Sequence, residues 1–276
     1  MKCKSSLGAV AVAAAMFSGS ASAALTTVGG VTWDPDYGLD FAAVSSVYEV
    51  TAFQVDQVIS GYGKFSSINE DGGFCTASGC ELTFTFGGFK LLDLSPADPL
   101  TGFNGNNFAF TDGWVKVWVD SSPDFNATIG STAGNDAGAQ LWLDLVARTQ
   151  RNAGGANPNV PTGATLIGQL TNLDPATLAG SGNSYMDVVG GLAETNFDTN
   201  NALFQCTVSG GTYCPDIFFN SNFAYDAVVA ALTNGAVTHK GSADIVGNSV
   251  PEPGILALIG LGFAGLGFAR RNKKQA

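Results

Sequence analysis

The chain has 276 residues, 45% of them hydrophobic and 13% charged, with a formal net charge of −11. That charge is unevenly placed: Lys2 and Lys4 open the chain and Arg270, Arg271, Lys273 and Lys274 close it, leaving six cations against 22 acids between the ends, a net of −16. So acidic a body excludes nucleic acid and anionic lipid as partners, because both require clustered Lys and Arg to displace counterions.

Residues 1–23 read as a secretory signal peptide. Two lysines precede a short apolar core over 7–17 and an Ala21-Ser22-Ala23 cleavage signal, and the core is too short to span a membrane. Export changes the meaning of cysteine. Once Cys3 leaves with the signal, Cys75, Cys80, Cys206 and Cys214 remain as two close pairs, an even count that suggests two disulfides in an oxidising compartment. Four cysteines allow three connectivities, and the local pairing, 75 with 80 and 206 with 214, is favoured. Their spacing, with one distant histidine, is poor for zinc.

Residues 24–247 form the expected extracytoplasmic domain, about the size of one β-rich unit. Alternating apolar residues predict strands in VYEVTAFQVDQV (47–58), ELTFTF (81–86) and WVKVWVD (114–120), with weaker signals in QLWLDLV (140–146), ATLIGQL, SYMDVVGGL and AVTHKGSADI. The 140–148 segment also fits a helix. Turns such as NEDGG, SPADPL and NPNVP separate these runs. One short helix is predicted over 223–232, capped by Asn222 and stopped by Asn234-Gly235. The expected fold is an all-β, antiparallel, sandwich-like single domain.

Three constellations in the body carry candidate chemistry. In WVKVWVD, Val115, Val117 and Val119 share one face while Trp114, Lys116 and Trp118 share the other, and burying Lys116 would be costly, so the valines should point inward. By the same alternation Leu141, Leu143 and Leu145 go inward, and Trp142 and Asp144 outward. If the two strands pair, Trp114, Trp118 and Trp142 make a platform of the kind on which sugar rings stack; the competing reading is that a second layer covers this face and the tryptophans are core. The loop after Asp120 gathers Asp124, Asn126, Asn135 and Asp136, so Asp120, Asp124 and Asp136 are candidate calcium ligands, although Asp and Asn are also ordinary turn formers. The single histidine of the mature chain, His239, would have to serve any Ser-His-Asp or Cys-His mechanism, and no G-x-S-x-G, H-E-x-x-H or G-K-[ST] string accompanies it. No enzymatic activity and no obligate cofactor are expected.

The end of the chain is the most specific part. Val250-Pro251-Glu252-Pro253 cannot be helix interior, because each proline lacks an N–H and restrains its predecessor. Residues 254–269 carry no charge, make a helix of roughly 24 Å and read as a marginal transmembrane span. Arg270, Arg271, Lys273 and Lys274 would then stop transfer and stay cytoplasmic. Gly260, Gly262 and Gly265 match the letters of a dinucleotide fingerprint but lack its following helix and acid.

This order of proline-bracketed glutamate, Gly-rich span and terminal arginine doublet resembles the PEP-CTERM sorting tail, over residues 248–276. The resemblance implies that an exosortase in the inner membrane of a Gram-negative, exopolysaccharide-making bacterium recognises Pro251, Glu252 and Pro253 and processes the chain after a signal peptidase has removed its leader. The segments GYGKFSSI, CELTFTFGGF and GWVKVWVDS resemble an anonymous group of proteins with the same tail. The reading that follows is an exported surface or extracellular-matrix protein, a structural or interaction component of biofilm. The alternative is a carbohydrate-binding module for the exopolysaccharide, and a secreted hydrolase ranks below both.

Overall fold

The computed structural model describes residues 25–38, 40–52, 54–75, 79–93, 97–98, 103–104, 107–127, 138–149, 161–172, 174, 176–199 and 215–249. A hairpin of β1 (Thr26–Val28) and β2 (Val31–Trp33) opens this part of the chain. β3 (Phe41–Val50), β4 (Val58–Ile68) and β5 (Glu81–Asp93) follow as a meander. A small ladder of β6 (Ala97–Asp98) and β7 (Phe103–Asn104) leads to β8 (Asn107–Thr111), β9 (Trp114–Asp120), β10 (Gln140–Arg148), β11 (Leu166–Asn172) and β12 (Ala179–Gly190). Helix α1 (Glu194–Phe197), β13 (Ile217–Tyr225), helix α2 (Ala227–Leu232) and β14 (His239–Gly247) complete it.

The all-β, antiparallel, sandwich-like architecture expected from the alternation is present. One layer is the run β5-β4-β3-β14-β13-β12. The other layer is made of two separate strand pairs, and both bridge β5 to β12. β9–β10 joins the first half of β5 to the last half of β12, while β8–β11 joins the opposite halves. β5 and β12, with 13 and 12 residues, are long enough to serve both pairs. Every strand of this ten-stranded sheet therefore has a neighbour on each side. The sandwich is closed at its edges, which removes the exposed ladders through which β proteins aggregate.

Close approach inside the barrel depends on two glycines of β4. A Cβ at Gly61 would lie 2.6 Å from the Phe86 ring, and one at Gly63 would lie 2.3 Å from Phe84, so only hydrogen at these positions lets the two rings cross the neighbouring strand.

Several local expectations are corrected. The run 47–58 is not one strand: β3 ends at Val50, and Asp56 takes a positive φ of 70° before β4 begins. Residues 223–225 belong to β13, where Phe223 pairs with Gly180 and Gly241. The helix begins only at Ala227, because Asp226 caps it by accepting from the N–H groups of Val228 and Val229 at 2.9 and 3.0 Å. It ends as expected, with Asn234 and Gly235 at positive φ. The 140–148 segment is a strand, and Cys75 and Cys80 form a disulfide. Cys206 and Cys214 lie outside the described residues, as do the signal segment, the 250–253 motif, the 254–269 span and the basic end. Among the described residues no helix is long and apolar enough to cross a membrane.

Candidate functional site

The two halves of the barrel interior differ. Under β9–β10, Trp33, Phe41, Trp142 and Phe197 form one aromatic cluster with ring centroids 4.8–6.2 Å apart, each at most 2% exposed. The hairpin β1–β2 supplies Trp33 and α1 supplies Phe197, so both act as plugs. Under β8–β11 there is instead a cavity of about 240 Å³. Its walls come from Ile59, Phe108, Phe110, Leu166, Leu170 and Phe223. The room exists because Gly182 and Ser221 hold inward positions on β12 and β13, where larger side chains would close the space.

Glu49 stands in that wall. The alternation of β3 turns Phe41, Ala43, Ser45, Val47 and Glu49 inward, opposite Gly247, Ile245, Ala243, Gly241 and His239 of β14. Glu49 is 6% exposed, and among the described residues nothing bonds to its carboxyl group. Burial alone pushes it up to about 8. Its cross-strand partner His239 is 1% exposed, with the hydroxyls of Thr51 and Thr238 within 2.9 and 2.8 Å of Nδ1 and, among the described residues, no partner at Nε2. Burial holds its pKa below the usual histidine range. Rings of Phe223 and Tyr225 stand edge-on to it at 5.8 Å. Asn107, Thr51 and Ser221 complete the polar part of the cavity wall.

The tryptophan platform is realised only in part. β9 and β10 do pair, and Trp114 and Trp118 lie on the outer face with Lys116 between them. Lys116 Nζ pairs with Asp144 Oδ2 at 2.7 Å and lies 6.0 Å from the Trp114 ring centroid. The Trp114 ring rests against Gly87 and Gly88, where an added Cβ would come within 3.0 Å of it. Trp142, expected outside, is buried at 1%. A bulge between Leu141 and Leu143 inserts it between the positions facing Trp118 and Val117, and its indole turns inward to donate to the Val28 carbonyl at 3.0 Å.

The candidate calcium loop is held by a carboxylate that sequence reasoning did not single out. Glu81 accepts from the N–H groups of Asp124 and Phe125 and from Lys64 Nζ, while Asp120 accepts from the Ser122 N–H at 2.6 Å. The latter contact is an ordinary Asx turn. Asp124 is exposed, Asn135 and Asp136 lie outside the described residues, and among the described residues no three acidic, histidine or cysteine side chains are placed to hold a metal.

The last described residues lead into the tail. Ser249 is 8% exposed, and its N–H donates to Asp40 Oδ2 at 2.8 Å, beside the Phe41↔Gly247 pair. From that residue onward the comparison with known families is decisive: residues 249–273 match the model for the PEP-CTERM protein-sorting motif. The chain carries a PEP-CTERM sorting tail. The motif implies exosortase processing and an exported protein that transits the membrane. No curated protein and no solved structure matches the chain. The PEP-CTERM tail thus starts on a buried residue fixed to the barrel, with no linker in between.

Proposed function

We propose that this is a non-catalytic structural or interaction protein of the cell surface or extracellular matrix of an exopolysaccharide-producing bacterium, delivered there by exosortase-type sorting. The observation that carries the reading is the match of residues 249–273 to the sorting motif. The body suits this destination: its main sheet has no open edge, and the Cys75–Cys80 disulfide presumes an oxidising compartment. The Asp40–Ser249 contact adds an orientation. Residues 250–253 can span at most about 14 Å, so before processing the filled end of the barrel stands next to the membrane and the cavity end faces away.

The test is the mature C-terminus. Mass spectrometry of the protein recovered outside an exosortase-bearing host should show that Arg270 and Arg271 are gone. Glu252→Gln, or deletion of the exosortase, should leave the tail in place and the protein in the membrane fraction. Extracellular protein that keeps its arginine doublet would overturn the reading.

A second reading is supported by Trp114, 36% exposed and backed by Gly87 and Gly88: the outer face of β9 as a contact for the matrix polysaccharide itself. Quenching of indole fluorescence by the purified polymer, abolished in Trp114→Ala, would support it.

A further inference from the structure

The cavity under β8–β11 shares no lining residue with the sorting tail, and it presents a buried carboxyl group to a largely apolar space. We propose that this cavity binds a small organic cation, a primary or secondary amine on an apolar body, with its ammonium group paired to Glu49. The inference stands independently of where the protein is delivered.

The sign of the ligand follows from the cations the body possesses. There are six. Lys64, Lys90, Lys116 and Arg148 are each already paired with a carboxylate, respectively Glu81, Asp56, Asp144 and Asp187. Lys240 lies over the Tyr48 ring, and Arg151 is outside the described residues. Among the described residues, then, none turns into the cavity, and Glu49 has no counter-ion of its own. A carboxylate ligand would keep Glu49 protonated and meet its ionised form as a like charge, so it gains no ion pair in the cavity. An ammonium would supply what the site lacks, and the net charge of −16 over the body favours its approach.

The size follows from the volume. An engineered apolar cavity of about 150 Å³ accepts benzene; about 240 Å³ takes a ligand larger by a short chain. Phenethylamine and hexylamine are of that size. The walls match such a body: Phe108, Phe110 and Phe223 offer rings and Leu166 and Leu170 aliphatic surface, with Ser221 as a polar residue in the same wall.

Protonation gives the site a signature. The empty protein holds Glu49 protonated at neutral pH, since burial pushes it up to about 8. Binding of an ammonium favours the carboxylate, so complex formation near pH 7 releases up to one proton. The titratable groups facing Glu49 from neighbouring strands are His239 on β14 and, beyond it, Tyr225 on β13; β4, β8 and β11 present Ile59, Asn107, Phe108 and Leu166, which do not titrate. His239, held neutral by burial, adds no opposing charge.

The experiment is calorimetric titration of the purified protein with phenethylamine, 2-phenylethanol and 3-phenylpropionate, run at pH 6, 7 and 8 in two buffers of different ionisation enthalpy. The expected result is at least tenfold preference for the amine over its neutral and anionic analogues, proton release at pH 7, and affinity tightening severalfold between pH 6 and pH 8. Glu49→Gln should lose tenfold or more in amine affinity. Leu170→Trp, which fills the cavity and leaves the carboxyl in place, should lose binding as well, and it keeps the test open should the first variant fold poorly. Equal amine binding by wild type and both variants, stronger binding of 2-phenylethanol than of the amine, or no heat from any of the three at millimolar concentration would overturn the proposal.

Discussion

The filled half of the barrel and the hollow half share the same two long strands, yet one end holds four aromatic rings packed edge-on and tilted and the other holds about 240 Å³ of space. The scaffold cannot explain the difference, because β5 and β12 run through both halves. What differs is what fills each. Under β9–β10, a bulge turns Trp142 inward and two plugs from outside the sheet, Trp33 and Phe197, meet it. Under β8–β11, Gly182 and Ser221 stand where rings would be needed, and a carboxyl group takes an inward place in β3. Side chains fill the first half, and the second keeps the room that the proposed amine would occupy.

The largest test of that contrast is truncation in each half. Trp142→Ala removes a side chain that is 1% exposed and the hydrogen bond to Val28, and should cost about 3–5 kcal/mol. Leu170→Ala removes a half-buried side chain that borders existing space, and about 1–2 kcal/mol is expected. Urea denaturation of both variants checks the pair. Equal losses would mean that the hollow half is as well packed in solution as the filled one.

A comparable effect comes from the carboxyl itself, and its sign is opposite to that of an ion-paired acid. Glu49 ionises near 4.5 when unfolded and near 8 when folded. Between those values the unfolded chain has released the proton and the folded one has kept it, so rising pH favours unfolding across that window. Glu49→Gln should flatten the fall and leave the variant roughly 4–5 kcal/mol more stable than wild type at pH 8.5, with little difference at pH 4. His239 slopes the other way. Its pKa is depressed in the fold, so its contribution is complete above the usual histidine value of 6.5 and is lost as pH falls from there through the lowered folded value. Melting curves of wild type and Glu49→Gln across pH 4–9 separate the two, and a difference that stays constant with pH would refute the assignment to Glu49.

How much of either half could be read from the sequence is a matter of range. In WVKVWVD the cost of burying Lys116 decides which face is inside, and Val115, Val117 and Val119 are indeed buried. Two residues after the start of β10 the same reasoning fails at Trp142, because a bulge is a property of register between strands and leaves no mark on the alternation of one of them. Glu49 was hidden for a related reason. Its neighbours Tyr48 and Val50 suggest the opposite inward parity, and only pairing with β14 shows that Val47 and Glu49 face the interior. The charge on an inward parity was the available signal, but it could be used only once the parity was known. The helix start shows the local counterpart: Asn222 and Asp226 are both good caps, and the ladder of β13 with β12 and β14 decides between them. Closure of the sheet rests on the β10–β12 and β5–β8 pairings, which no single segment encodes. The sorting tail was legible because its meaning lies in contiguous letters.

The smallest expected effect concerns the outer face of the filled half. Lys116 and Asp144 meet at 2.7 Å across β9 and β10, but their side chains are 35% and 23% exposed, so water competes with the pair. A double-mutant cycle of Lys116→Gln and Asp144→Asn should give a coupling of about 0.5 kcal/mol, and no more than about 1 kcal/mol. The pair's larger role is positional. Because Lys116 also lies 6.0 Å from the Trp114 ring, releasing it should change the access of acrylamide to that indole while the melting temperature barely moves. Were the coupling instead above about 2 kcal/mol, the strip of Trp114, Lys116 and Trp118 would be part of what holds the barrel closed, and its use as a contact surface for polysaccharide would lose its physical basis.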